Sequence, residues 1–204
     1  MQPVRVAYQK LGADVILIDW RKGNQFNYWQ ASSNVRTVGA MVGQLITKWN
    51  IIERTRLVGF SLGGQTLGEA ARYVQRMTNG KKKVPTCHGL DPAGPWFTGC
   101  PDIMLQKSDC TMVEVLHTSA APKDQLGITS LQFGTDMKTG HRDFWVNCGF
   151  DQGPCQVRTY LTTLQSTTKV KPLLSFMSSL VAQPIRSVDR SCSRSVQHGP
   201  EWCR

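Results

Sequence analysis

Ser61 lies at the centre of the pentapeptide Gly59-Phe60-Ser61-Leu62-Gly63. The apolar pair Leu57-Val58 precedes this pentapeptide, and a helix-like stretch follows it. In a G-x-S-x-G sequence the glycines permit a sharp turn from strand to helix, which exposes the serine hydroxyl and faces the next backbone N–H toward a developing oxyanion. The pattern therefore predicts a nucleophilic serine at position 61 and an oxyanion donor at the N–H of Leu62.

A nucleophilic serine requires a base that removes its proton and a carboxylate that orients the base. In the α/β-hydrolase arrangement these partners follow the serine in the order Asp or Glu, then His. Asp91 ends a predicted strand in the segment Gly89-Leu90-Asp91-Pro92. The carboxyl end of a parallel strand faces the same crevice as the serine turn, so we interpret Asp91 as the catalytic acid. The alternative is that Asp-Pro only begins a turn.

The base has four candidates, which are the histidines of the chain. His88 lies inside a strand and precedes Asp91 in the sequence. His117 ends an apolar strand, and His141 lies in a Gly-His-Arg-Asp-Phe-Trp segment, so both suit structural roles. His198 follows the acid in the expected order, and we predict it as the base. The alternative for His198 is a surface histidine near the end of the chain.

The hydrophobic periodicity predicts strands alternating with helices. Strands are expected at 13–19, 56–60, 84–90 and 112–117, and helices at 33–49 and 64–77. This order implies right-handed crossovers and a parallel sheet, hence an α/β fold. The length of 204 residues suits one domain spanning residues 1–204.

Composition and charge limit the kinds of molecule or surface that this chain is expected to bind. A hydrophobic content of 40% indicates a globular chain, and the longest aliphatic run, Val15-Ile16-Leu17-Ile18, is too short to cross a membrane. The net charge of +10 is uneven, since residues 156–204 hold seven Lys or Arg against two Asp or Glu. A solvated basic face is the simpler interpretation. Among specific partners an anionic lipid surface is favoured, because no nucleic-acid module is recognisable.

The seven cysteines all lie after residue 86. No C-x-x-C pair occurs, which argues against a zinc site, and a disulfide-bearing extracellular domain is the better interpretation. The N-terminal residues show no apolar signal segment, so we expect the N-terminus to be incomplete. Spacing groups the cysteines in short pairs, and we predict a disulfide between Cys100 and Cys110.

Five segments in series resemble the animal pancreatic-lipase family, which includes triacylglycerol lipases and phospholipases A1. These segments are Val15-Ile16-Leu17-Ile18-Asp19-Trp20, Gly59-Phe60-Ser61-Leu62-Gly63-Gly64, Gly89-Leu90-Asp91-Pro92-Ala93-Gly94-Pro95, Val115-Leu116-His117-Thr118 and Gly140-His141-Arg142-Asp143-Phe144-Trp145. The resemblance implies an α/β-hydrolase fold with helices on both faces of the sheet, an extracellular location and hydrolysis of lipid carboxylic esters. It assigns the nucleophile to Ser61 and the acid to Asp91. It also implies that this chain binds a lipid substrate or a lipid–water interface.

Three departures from the family pattern bear on activity. The family has a His-Gly-Phe-like oxyanion segment before the Asp-Trp strand, and this chain begins after that point. The family base lies in Cys-x-His-x-Arg, where this chain reads Cys192-Ser193-Arg194-Ser195, so His198 would act from a shifted position. The calcium ligands of some members have no counterpart in the stretch 103–107, and we predict neither a metal nor a cofactor.

The resemblance also implies a lid before the base. Cys155 and Cys192 would form a disulfide that brackets this lid, at about residues 155–192, with an apolar stripe at 173–181. Such a segment would cover the site in water and open at a lipid surface. The alternative for the stripe is ordinary core packing.

The alternatives to an esterase are a non-catalytic lipid-binding or yolk-type storage protein, and a gene fragment with no independent function.

Overall fold

The computed structural model describes residues 1–24, 27–120 and 133–149. The helices are α1 (Gln2–Lys10), α2 (Tyr28–Lys48) and α3 (Leu62–Met77), with short 3-10 helices at Arg21–Gly23, Ile52–Arg54 and Val146–Gly149. The strands are β1 (Arg56–Phe60), β2 (Val84–Leu90), β3 (Cys110–His117) and β4 (Arg142–Trp145). The described residues fall into two compact units, 1–19 and 20–149.

The first unit contains α1, which the sequence pattern did not predict. The segment that follows it was expected to be a buried strand at 13–19, and that prediction was wrong. No strand forms there, and the side chains of Ile16, Leu17 and Ile18 are 52%, 45% and 43% exposed. A strand requires a hydrogen-bonded neighbour as well as apolar side chains, and an apolar run by itself does not identify that neighbour.

The second unit is built on a parallel sheet with the strand order β1-β2-β3-β4. β1 and β2 have the predicted bounds, and β3 begins two residues earlier than predicted. These strands confirm the predicted α/β class and its parallel sheet. The fourth strand was missed, because β4 has only four residues, the first of which is exposed and the other three only partly buried.

Helix α3 covers β1 and β2 and supplies much of the core. Val74 of α3, Val84 of β2 and Val113 of β3 are fully buried in one cluster. Helix α2 packs closely against α3, because a Cβ atom at its Gly39 would lie 2.7 Å from the Cβ of Glu69. The α2 helix begins five residues before its predicted start, at a turn where Asn27 Oδ1 accepts the N–H of Trp29.

A disulfide joins the neighbouring strands β2 and β3. Cys87 and Cys110 are bonded with a Cα–Cα distance of 6.0 Å, which is ordinary for a disulfide. The predicted bond between Cys100 and Cys110 is therefore wrong: strand pairing, which the spacing does not show, places Cys110 beside Cys87. Cys100 is itself disulfide-bonded. The predicted bond between Cys155 and Cys192 lies outside the described residues.

An ion pair ties α3 to the turn before β3. Arg72 Nη1 lies 3.0 Å from the carboxylate of Asp109 and 3.2 Å from the carbonyl oxygen of Met104. Asp109 is only 1% exposed and also accepts the N–H of Gln106 at 2.9 Å. Burial raises the pKa of Asp109 to about 6, and Arg72 opposes this rise. The guanidinium is therefore the main group that keeps this carboxylate ionised near neutral pH.

We predict that Arg72→Ala destabilises the protein in a pH-dependent way. Because the folded-state pKa of Asp109 lies above its ordinary value, its contribution to stability is complete at low pH and is lost as pH rises through that pKa. Removing Arg72 raises this pKa further. The free energy of unfolding should fall by about 3 kcal/mol or more at pH 8, and by a clearly smaller amount at pH 4, where Asp109 is protonated and the remaining loss comes from the other contacts of Arg72. Urea unfolding at both pH values measures this difference.

The matched control is Arg76→Ala. Arg76 lies one turn further along α3, pairs with Glu69 at 2.6 Å, and its side chain is 54% exposed. Because Arg76 is more than half exposed and Glu69 also pairs with Arg72, this variant should lose about 1 kcal/mol or less at either pH. Equal losses for the two variants, or a loss for Arg72→Ala that does not vary with pH, would contradict the prediction.

Candidate active site

Ser61 lies at the junction between β1 and α3, in a rarely populated backbone conformation with φ 56° and ψ −123°. Its N–H donates to the carbonyl oxygen of Leu90 at 3.0 Å, which continues the ladder between β1 and β2. Its own carbonyl oxygen accepts the N–H of Gly64 at 2.8 Å, which closes the first turn of the helix. The chain therefore turns at Ser61 within one residue, and the residue is partly exposed.

Glycine at position 59 makes this turn possible. A Cβ atom at Gly59 would lie 2.1 Å from the carbonyl oxygen of Gly63, far inside van der Waals contact. A Cβ atom at Gly63, in contrast, would meet no atom within 4 Å. Side-chain-free backbone at Gly59 thus allows the first turn of α3 to cross the end of β1. Strained residues of this kind persist where the surrounding structure holds them, and they cluster at functional sites.

Asp91 follows the last residue of β2 and is 5% exposed. Its backbone also has a positive φ, of 48°, and its N–H donates to Leu116 of β3. The Oδ1 atom accepts the N–H groups of Thr118 at 2.9 Å and Ser119 at 3.0 Å, and Oδ2 accepts the hydroxyl of Ser119. Three donors therefore fix the orientation of this carboxylate.

The strand register places Ser61 and Asp91 at the same edge of the sheet. Phe60 and Leu90 are paired as the last residues of β1 and β2, and Ser61 and Asp91 come directly after them. The N–H of Ala93 donates to the carbonyl oxygen of Ser61 at 3.2 Å, so the loop after Asp91 contacts the serine turn. This placement suits a nucleophile and its acid, although the roles themselves remain predictions.

Leu62 is the first residue of α3, and its side chain is buried with those of Ala31, Ala93 and Phe97. The first N–H groups of a helix have no partner within the helix and carry the positive end of its dipole. The N–H of Leu62 belongs to this group and directly follows the serine. The position therefore suits the predicted oxyanion donor.

The predicted base, His198, lies outside the described residues. Asp91 accepts hydrogen bonds only from Thr118 and Ser119 within the described part of the chain, so the structure brings none of the other three histidines to it. His88 lies in β2, and its Nε2 atom is 3.1 Å from Glu114. His141 accepts the N–H of Val113 through Nδ1 at 3.0 Å. Both contacts belong to the sheet.

His117 is fully buried at the end of β3 and cannot act as the base. Its Nδ1 atom lies 2.9 Å from the carbonyl oxygen of Thr135, and its Nε2 atom lies 3.0 Å from a carboxylate oxygen of Asp143. Asp143 also accepts the N–H groups of Thr139 and Gly140, so the pair is held by the surrounding backbone. Both ring nitrogens are occupied by these contacts, and neither contacts Ser61.

Sequence reasoning missed two residues that build the environment of Asp91. Ser119 donates its hydroxyl to the carboxylate. Gly134 lies so close that a Cβ atom there would be 2.6 Å from Asp91 Oδ1. The position of Ser119, two residues beyond a predicted strand end, could have indicated it. Nothing in the sequence around Gly134 shows that the segment returns to cover Asp91.

The oxygen atoms around Asp109, which could otherwise bind a metal ion, are bound to the guanidinium of Arg72. The carbonyl oxygens of Ile103 and Met104 and the carboxylate of Asp109 all lie within 3.3 Å of Arg72 nitrogens. Among residues 1–24, 27–120 and 133–149, no group of three or more His, Cys, Asp or Glu side chains could hold a metal ion. None of the helices in the same residues is long and apolar enough to cross a membrane.

The sequence of this chain is similar to those of known proteins. The sequence model of the family described as Lipase matches residues 2–176. Pancreatic lipase-related protein 2 of Rattus norvegicus is 37% identical over 163 residues, which is 77% of this chain and 32% of that protein. Pancreatic triacylglycerol lipase of Equus caballus is 40% identical over 147 residues, with shares of 69% and 30%. Inactive pancreatic lipase-related protein 1 of Homo sapiens is 39% identical over 147 residues, with shares of 69% and 29%. The chain thus spans about a third of the length of these relatives.

We predict that alanine at Gly59 strongly destabilises the protein and that alanine at Gly63 does not. Gly59→Ala must push the first turn of α3 away from β1, and we expect a loss of about 3 kcal/mol or more in the free energy of unfolding. Gly63→Ala adds a methyl group in open space on a helix, and we expect a change below about 1 kcal/mol. Thermal and urea unfolding would measure both. Similar losses for the two variants would show that the close approach at Gly59 is not the controlling contact.

Proposed function

The chain belongs to the lipase family, as its sequence segments indicated, and we propose that it is an extracellular serine hydrolase of lipid carboxylic esters. The proposed nucleophile is Ser61, the acid is Asp91 and the base is His198. No cofactor takes part. The disulfide between Cys87 and Cys110 supports the extracellular location, since such bonds persist in oxidising compartments.

In the proposed reaction the Ser61 hydroxyl attacks the ester carbonyl and transfers its proton to the His198 imidazole. The N–H of Leu62 donates a hydrogen bond to the oxyanion of the tetrahedral intermediate. Collapse of the intermediate releases the alcohol, which takes the proton from the histidine and leaves an acyl-serine. A water molecule then attacks the acyl-serine with the same base, releasing the fatty acid and restoring Ser61.

The observation that carries this proposal is the strained backbone of Ser61 beside Asp91 at one sheet edge. Packing alone does not require a serine with φ 56° at the start of α3, where its side chain makes no cap for the helix. The turn instead directs a hydroxyl-bearing residue and a helix N-terminus toward the same place. This combination is the geometry that acyl transfer needs.

Asp91 supports the proposal through its remaining acceptor capacity. A carboxylate has about four lone-pair sites, and the described donors Thr118 and Ser119 use three. One site on Oδ2 is therefore left for the N–H of a histidine. Because the carboxylate is buried and held from two sides, it would fix the ring of that histidine with little freedom.

A second candidate function is lipid binding without catalysis, on the same scaffold. The observation that favours it is that none of the three described histidines meets Ser61 or Asp91. The segment Cys192-Ser193-Arg194-Ser195 also lacks the histidine that the family pattern places there. A relative that is 39% identical bears the word inactive in its name.

For both the hydrolase and the non-catalytic function we propose that residues 155–192 act as a lid over the site. We also propose that residues 1–204 form a single domain.

We predict that a fluorophosphonate probe labels Ser61 in the folded chain. The probe reacts with activated serines, because it mimics the tetrahedral intermediate and requires both an oxyanion donor and a base. Labelling should be lost in Ser61→Ala and retained in the control Ser33→Ala, which alters an exposed serine of α2. Peptide mass analysis locates the adduct. Absence of an adduct on Ser61 in folded wild-type protein would favour the non-catalytic alternative.

We predict that His198→Gln lowers the rate of Ser61 labelling by about 1,000-fold, since general-base assistance typically accounts for 100- to 10,000-fold. His141→Gln is the matched control, because His141 is an exposed histidine that bonds to the sheet. Labelling kinetics against probe concentration would measure both rates. Unchanged kinetics in His198→Gln would reject His198 as the base while leaving Ser61 as the nucleophile.

A further inference from the structure

Two tryptophans form an exposed aromatic pair in the second unit. Trp29 is 45% exposed and Trp96 is 47% exposed, so each retains about half of its surface in contact with water. Their ring centroids are 4.5 Å apart, with an angle of 73° between the ring planes. Two large apolar side chains in contact at the surface form a continuous apolar patch, and patches of this kind mark candidate interaction sites.

The backbone beneath the tryptophan pair is firmly held. Trp29 lies in the first turn of α2, where its N–H is capped by Asn27. Its neighbour Tyr28 donates its hydroxyl to the carbonyl oxygen of Pro95 at 2.9 Å, directly before Trp96. Burial raises the pKa of Tyr28 to about 12, so this hydroxyl remains a donor at physiological pH. The link holds together the two segments that carry the tryptophans.

The segments that carry the pair also contact the turn of the proposed nucleophile. Ala31 of α2, Leu62 and Ala93 belong to one buried cluster, and Tyr28 packs against it. Leu62 directly follows Ser61, and Ala93 donates its N–H to the carbonyl oxygen of Ser61. Trp29 lies two residues before Ala31, and Trp96 lies three residues after Ala93. The tryptophans therefore flank the two segments that meet at Ser61.

The charge of the surrounding chain indicates which surface the pair would meet. Residues 20–47 contain three basic residues and no Asp or Glu: Arg21, Lys22 and Arg36. Residues 92–101, which carry Trp96, contain no charged residue. This part of the chain is therefore purely cationic or neutral. A surface with negative charge would complement it, and zwitterionic or positive surfaces would not.

We propose that Trp29 and Trp96 anchor this protein to an anionic lipid surface. Tryptophan rings combine a large apolar area with a polar N–H, which suits the boundary between head groups and acyl chains. The anchor would hold the edge of the sheet that carries Ser61 against the lipid. This inference rests on the proposed function for its purpose, since bound lipid would supply the ester, but binding itself requires no hydrolysis.

The test measures binding of the full chain to large unilamellar vesicles by co-sedimentation. Two compositions are compared, phosphatidylcholine alone and an equal mixture of phosphatidylcholine and phosphatidylglycerol. Wild-type protein should bind the mixture at least about tenfold more tightly than phosphatidylcholine. The double variant Trp29→Ala with Trp96→Ala should bind the mixture at least about tenfold more weakly than wild type.

Trp49→Ala is the matched control. Trp49 is 54% exposed and directly follows the last residue of the same helix, about 30 Å along its axis from Trp29. Its removal should leave vesicle binding unchanged. The single variant Trp29→Ala, which places a strong helix former in an exposed position of α2, keeps the test valid if the double variant does not fold. Equal binding by the Trp29 and Trp49 variants, or equal wild-type binding to both compositions, would overturn the proposal.

The vesicle experiment also separates this inference from the proposed hydrolase function. Ser61→Ala should bind the anionic vesicles as tightly as wild type, because the nucleophile takes no part in anchoring. Vesicle binding that depends on Trp29 and Trp96, without probe labelling of Ser61, would support the anchor and reject the hydrolase. Labelling of Ser61 without vesicle binding would reject the anchor alone.

Discussion

The close approach between Gly59 and Gly63 is the steric constraint on which the candidate site depends. The chain leaves β1, reverses at Ser61 and enters α3 so tightly that no Cβ atom fits at Gly59. The resulting backbone strain is held by hydrogen bonds to two neighbours, Leu90 in β2 and Gly64 in the helix. Strain at one residue is thus stabilised by the sheet and the helix together, which also defines where the serine hydroxyl can lie.

The polar groups at the same sheet edge divide into two sets with different consequences. His117 and Asp143 satisfy each other and nearby backbone groups, so this buried pair is structural although its residue types could do chemistry. Asp91 accepts three hydrogen bonds and retains capacity for one more. Both residues are aspartates, so residue type does not separate them. Hydrogen-bond capacity does: Asp91 can still accept a hydrogen bond from a histidine of the site, whereas Asp143 is already bonded to His117.

Sequence predicted the central strands well because their apolar runs are bounded by clear turn signals, as at the start of β1 and after Leu90. It failed at 13–19, where apolar character was present but a pairing partner was not specified, and at the disulfide of Cys110, which depends on which strands are neighbours. Within the site, local motifs identified Ser61 and Asp91. Gly134 could not be predicted, because its contact with Asp91 arises from a segment that returns from far along the chain.

Lipid contact and ester chemistry make opposite demands on a protein surface. The proposed acid needs low exposure and fixed hydrogen-bond donors around it, and Asp91 has both. An interfacial anchor needs exposed apolar area on a rigid base, which the Tyr28–Pro95 hydrogen bond provides beneath Trp29 and Trp96. Because α2 and the loop after β2 meet through the buried cluster around Leu62, the two requirements are met on adjoining surfaces of one unit. The buried surroundings of Asp91 and the exposed Trp29/Trp96 pair can therefore each meet their own requirement without a change in the other.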